Sequence, residues 1–160
     1  MRRTKFLLLA SLLCCSALGE TVKPNFTGIW KLNNGRSTQD GPPDRVYICT
    51  VEQTARAITV TTKADGVTNI LDGTFPISVK PHIAKVGANY RSTKVYWENS
   101  TLVFEILDRD SKKDTAKTVM GLRETWTVSP DGKILTKFRR TAAAATAGKV
   151  ADQKYVFDKQ

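Results

Sequence analysis

The side chains whose types and spacing could do chemistry together are Glu124, Arg140, Trp97, Phe104, Trp126 and Phe138. A carboxylate and a guanidinium on one face with four aromatic rings would give an apolar cavity with a polar handle, suited to the head group of a small hydrophobic or amphipathic molecule. The competing expectation is a filled core in which Glu124 and Arg140 only satisfy each other. Neither expectation includes catalysis, because a single Glu has no second carboxylate or base to work with. An isomerase or hydrolase built on Glu124 and Arg140 is the least favoured reading. No serine stands in a Gly-x-Ser-x-Gly turn.

Other reactive types lack companions. His82, the single histidine, sits beside Pro81 in an expected loop with no metal-ligand partners at useful spacing. Asp108 to Asp114 has the acids of a calcium loop, but cations interrupt them and no glycine makes the tight turn. Cys49 lies in Val46-Tyr47-Ile48-Cys49-Thr50 with no basic neighbour, the setting of a small buried hydrophobe. No metal and no cofactor is implied.

Two hairpins must position the candidate residues. Arg91 to Trp97 and Leu102 to Leu107 alternate cleanly, and a two-residue Asn99-Ser100 turn pairs Trp97 with Leu102 and Val95 with Phe104. Gly121 to Ser129 and Lys133 to Thr141 form the second, across Pro130-Asp131-Gly132. Pairing Ser129 with Lys133 sets Val128 opposite Ile134, Trp126 opposite Thr136 and Glu124 opposite Phe138, with Arg140 diagonal to Glu124.

The remaining chain is punctuated the same way. Phe26, Gly28, Trp30 and Leu32 share one face of a first strand. Gly35 to Asp44 is a Gly/Pro loop long enough to cover a barrel mouth. Val46 to Glu52 and Ala57 to Lys63 form a hairpin with Val46, Ile48 and Thr50 facing in against Ile58, Val60 and Thr62. Val67 to Leu71 is a strand, Pro76 and Pro81 mark an edge or a loop, and Lys80 to Asn89 is a connection. Asp108 to Lys117 is a charged loop, Thr141 to Gly148 a low-complexity one, and Gln153 to Asp158 the last strand. The fold class is therefore all-β: a single antiparallel up-and-down barrel of about eight to nine strands, which removes its edges by closure.

The first 19 residues are a leader: basic Arg2, Arg3 and Lys5, an apolar run from Phe6, and small residues at Ala17 and Gly19. Cleavage after Gly19 leaves residues 20–160 as one domain, exported to the periplasm or outside the cell, with no transmembrane segment and with Cys49 as its sole cysteine. It keeps 22 of the 25 basic residues against 15 acidic ones. That basic balance suits a weak attraction to an anionic envelope surface, either as a solubilising charge or as an interaction module. The cations are spread along the chain, which argues against specific nucleic-acid binding.

The stretch Phe26-Thr27-Gly28-Ile29-Trp30-Lys31-Leu32 resembles the opening strand of lipocalins and related calycin barrels, with its Gly-x-Trp motif. Together with the Trp97–Leu102 hairpin, Glu124 to Thr136 and the closing Tyr155-Val156-Phe157-Asp158, it is similar to small secreted lipocalin-like proteins of bacteria. The resemblance implies an up-and-down barrel, while the inward aromatics and the leader point to a secreted, non-catalytic protein that binds a small apolar ligand. It also implies that Trp30 plugs one barrel end beneath a late-strand arginine, for which parity with Ile134, Thr136 and Phe138 selects Arg140. Gly28, Trp30 and Arg140 would then be structural.

Overall fold

The structure is a computed structural model that describes residues 22–38, 46–64, 71–111, 118–143 and 150–160. The expected leader, most of the Gly35–Asp44 loop, most of the Val67–Leu71 strand, and much of the charged and alanine-rich loops lie outside the described residues.

Among the described residues, ten strands form one antiparallel sheet curled into a nearly closed barrel. They are β1 (Gly28–Leu32), β2 (Tyr47–Gln53), β3 (Ala57–Ala64), β4 (Gly73–Pro76), β5 (Ser78–Val86), β6 (Asn89–Glu98), β7 (Thr101–Arg109), β8 (Thr118–Val128), β9 (Ile134–Ala143) and β10 (Val150–Lys159). The spatial order is β4-β3-β2-β1-β10-β9-β8-β7-β6-β5. The terminal strands β1 and β10 therefore zip together, while β4 and β5, adjacent in the chain, are the two edges of the sheet among the described residues.

The clean alternation of β6 and β7 gives the register expected: Trp97 pairs with Leu102 and Val95 with Phe104. Asn99 takes φ 53°, the left-handed conformation a two-residue hairpin turn requires. Phe26, Trp30 and Leu32 are buried on one face as the first strand's alternation demands.

Three expectations give way. Lys80 to Asn89 is mostly strand, because β5 pairs with β6; Pro81 is tolerated where the ladder is interrupted between Ser78 and His82. In β2 the inward residues are Cys49 and Val51, with Val46 exposed, since the ladder sets Cys49 opposite the inward Trp30. In the β8–β9 hairpin Val128 pairs with Leu135, one residue further on than expected.

That last shift is made by the turn. Gly132 sits at φ 70° and donates to the Ser129 carbonyl, while Ser129 N–H reaches the Ile134 carbonyl at 2.9 Å. Asp131 accepts hydrogen bonds from the Ser129 hydroxyl and Lys133 N–H, and the Ser129 hydroxyl accepts from Ile134 N–H. Lys133 thus belongs to a four-residue connection, its carbonyl taken by Lys159 N–H. Because side chains alternate with period two, one residue of slip exchanges the faces of all of β9. Leu135, Lys137 and Arg139 turn inward, and Phe138 and Arg140 turn out.

The core is one cluster running through the barrel: Phe26, Trp30, Val51, Ile58, Leu71, Phe104, Ile106, Trp126, Leu135 and Phe157 among others, all buried. Among the described residues no helix is long and apolar enough to cross a membrane.

Candidate functional site

The interior holds two kinds of site, a packed polar cluster on the closed side and a cavity at the open seam. Glu124 is fully buried on β8. Trp126 Nε1 donates to its Oε1 at 2.6 Å, and Arg139 Nε forms an ion pair with its Oε2. Both carboxylate oxygens are thus engaged, which a buried charge demands. Lys137, opposite Trp126 in the ladder and 2% exposed, places Nζ 3.8 Å from the Trp126 ring centroid and 4.8 Å from that of Phe157. It also donates to Cys49 Sγ at 3.1 Å, and Arg139 lies over the Tyr155 ring.

Burial works against the Arg139 charge, but Glu124, Tyr155 and Tyr47 more than offset it and hold the guanidinium above its ordinary value. Burial, then Cys49 and Glu124, push the Tyr47 phenol well above its ordinary 10.0, against the opposing pull of Arg139 and a hydrogen bond with Thr62. Glu124 and Arg139 thus answer each other, and the Lys137 ammonium is met by two aromatic rings and a thiol.

The partner of Glu124 is therefore Arg139 and not Arg140. Arg140 lies on the outer wall in a bidentate pair with Asp152. Phe138 is likewise outside, 40% exposed, beside a small outer-wall pocket it shares with Arg123, Thr125 and Arg140. Phe104 and Trp126 are inside with ring centroids 4.7 Å apart, and the half-buried Trp97 stacks on Phe26 at one end of the barrel.

Trp30 is fully buried, its indole N–H donating to the Phe26 carbonyl at 2.9 Å. The cation across it is Lys159, with Nζ 5.3 Å from the ring centroid, and not Arg140. Trp30 pairs with Lys159 in the β1–β10 ladder, so the cation comes from the last strand. Gly28 makes this possible: at φ 150°, a Cβ there would lie 2.9 Å from Lys159 Cε.

The cavity lies at the unzipped seam. About 320 Å³ opens between β4 and the β5–β6 ribbon, walled by Phe75, Pro76, Ala84 and Val95, with Asp72, Thr74, His82, Arg91 and Thr93 supplying polar groups. Phe75 joins this wall to the core, edge-on to Phe104 with centroids 5.9 Å apart. Arg91 is held by Asp108 through two hydrogen bonds of 2.8 and 2.9 Å, and this bond to Asp108 is what chiefly raises its pKa. A cleft of similar size, about 360 Å³, lies on the outer wall along Leu107, Gly121, Leu122 and Arg123. The outer cleft touches the core through Leu122, and the seam cavity through Val95 and through Phe75, which packs edge-on to Phe104.

The sequence reading missed the seam residues, having put His82 in a loop. The signal available was the bare alternation of Thr93 and Val95, whose strand needs a partner on its other side.

No protein-family model matches the sequence, and no curated protein is significantly similar to it. Solved structures are similar in fold. Apo lipid binding protein 8 from Caenorhabditis elegans superposes with a TM-score of 0.56 at 13% identity, over 84% of this chain and 95% of that one. A structure described as the REP1-NXSQ fatty acid transporter gives 0.55 at 9% identity, over 84% and 95%. A secretory abundant heat soluble protein from Ramazzottius varieornatus gives 0.55 at 11%, over 88% and 99%. The fold is thus a lipocalin-like antiparallel barrel, as the opening strand led one to expect.

Proposed function

We propose that this chain is an exported, non-catalytic binding protein that holds a small hydrophobic or amphipathic molecule in the seam cavity. The cavity itself carries the reading. Its volume falls at the lower end of the range for small-molecule sites, roughly 300–1,000 Å³, and its walls combine apolar surface with a few polar groups. Two of the fold neighbours are described as a lipid binding protein and a fatty acid transporter, which supports a ligand of this class. Export rests on the leader at residues 1–19 and places the protein in the periplasm or outside the cell.

The closed-side cluster argues against a reaction at Glu124. Glu124 is fully buried, and each of its carboxylate oxygens already has a partner, Trp126 on one and Arg139 on the other.

A titration with a dansyl-labelled fatty acid tests the proposal. The probe should brighten on binding the wild-type protein. Val95→Trp, which fills the cavity from β6, should weaken it by about tenfold or more, equivalent to about 1.4 kcal/mol. Phe138→Ala on the outer wall should leave it unchanged. Equal binding by the Val95 variant, or loss on changing Phe138, would move the site elsewhere.

A further inference from the structure

We propose that β5 is a lipid-contact strand that seats the barrel on an anionic bilayer with the mouth of the seam cavity against the membrane. An edge strand ordinarily hides one face against its own core. β5 hides neither: every residue from Val79 to Val86 is exposed, and Val79, Ile83 and Val86 remain 71%, 41% and 43% accessible. Three of the seven large hydrophobic residues exposed among the described ones therefore lie on this one nine-residue strand. Such a concentration marks a contact surface.

Charge selects the partner. From Gly73 to Trp97 the chain contains Lys80, Lys85, Arg91 and Lys94 and not one Asp or Glu. Arg91 is committed to Asp108, and Lys94 approaches Glu105. Lys80 and Lys85 project from β5 itself, alternating with the apolar side chains. Long lysine stems beside Val and Ile let apolar groups enter the interfacial region while the ammonium groups meet anionic head groups.

The alternative occupant of a free edge is another strand, and β5 is built against it. Pro81 removes a backbone donor in mid-strand, the register shift between Ser78 and His82 distorts the edge, and the two lysines are the usual block to strand addition. A bilayer needs no regular ladder of hydrogen bonds. His82 and Ala84 of the same strand line the cavity, so a membrane seated on β5 lies beside the cavity mouth. That delivery role rests on the ligand-binding reading above, whereas the docking itself does not.

The test is flotation of the processed protein with vesicles of phosphatidylcholine alone or with added phosphatidylglycerol, at low and high salt. Wild type should float with the anionic vesicles and be released by salt. Lys80→Glu with Lys85→Glu should weaken this by about tenfold or more, and Val79→Ser with Ile83→Ser should weaken it at low salt, where wild type floats. All variants should bind the dansyl-labelled fatty acid in free solution as wild type does, which shows that they are folded and keeps docking separate from ligand binding. Variants that float as wild type, or a wild type that ignores anionic vesicles, would overturn the proposal. So would a change in oligomeric state with no change in flotation, which would make β5 a protein interface. If wild type floats but never binds the probe, docking stands and the delivery role falls with the function proposed above.

Discussion

The barrel has two places where its sheet must meet itself, and they are built differently. At β1–β10 the terminal strands pair directly, with Trp30 beneath Lys159, and the next strand, β9, sends inward Arg139, paired with Glu124, and Lys137, which meets the Trp126 and Phe157 rings and the Cys49 thiol. At β4–β5 the strands part, the ladder of β5 is irregular, and the space between is a cavity rather than a packed layer. Stability is concentrated where the polar groups are satisfied, and room for a ligand exists where the sheet is not completed. One barrel can serve both because the core aromatics, Phe75 against Phe104, connect the two regions.

The comparison can be broken most forcefully on the closed side. Glu124→Ala should cost about 3–5 kcal/mol, since Arg139 is left buried without its counter-charge; urea unfolding measures it, and a change below about 1 kcal/mol would mean the pair is not structural. Gly28→Val forces a side chain onto a backbone at φ 150° and against Lys159, and should cost about 1–3 kcal/mol by the same measurement.

Tyr47 sharpens the closed side through pH. Its folded-state pKa is raised, so the folded state keeps the proton above pH 10.0 while the unfolded chain loses it. The stabilisation is complete below that value and is lost as pH rises through the folded-state pKa. Unfolding midpoints should fall at alkaline pH more steeply in wild type than in Tyr47→Phe. Parallel slopes would remove Tyr47 from the cluster.

The seam and the outer wall should respond least. Val79→Ser, on a strand that buries almost nothing, should change stability by no more than about 0.5 kcal/mol. Arg140→Ala should leave the unfolding midpoint where it is, because its pairing with Asp152 is fully solvated.

Much of the interior was legible in the sequence wherever alternation is strict. Phe26 to Leu32 and the Trp97–Leu102 hairpin announced their faces, and the chain's barrel architecture followed from them. The errors share a cause: turn length and edge position are not encoded in the hydrophobic pattern of a strand. The Ser129–Asp131–Ile134 hydrogen bonds lengthen one turn by a residue, and with it Arg139 replaces Arg140 beside Glu124 and Phe138 leaves the interior. Tyr155 and Phe157, which pair with Lys137 and Leu135, carried that parity, had the last strand been set beside β9. β5 was missed because an exposed strand has no apolar alternation to show.

Hydrogen exchange with and without the dansyl-labelled fatty acid tests the central claim most directly, because it reads both regions at once. Without probe, β5 amides should exchange fastest and those of β7 and β8 slowest among the strands. With probe, protection should appear along Gly73–Pro76 and Arg91–Val95 and leave the Trp126 cluster as it was. Protection confined to the outer wall around Leu107 and Arg123, or none anywhere, would contradict a ligand site at the seam.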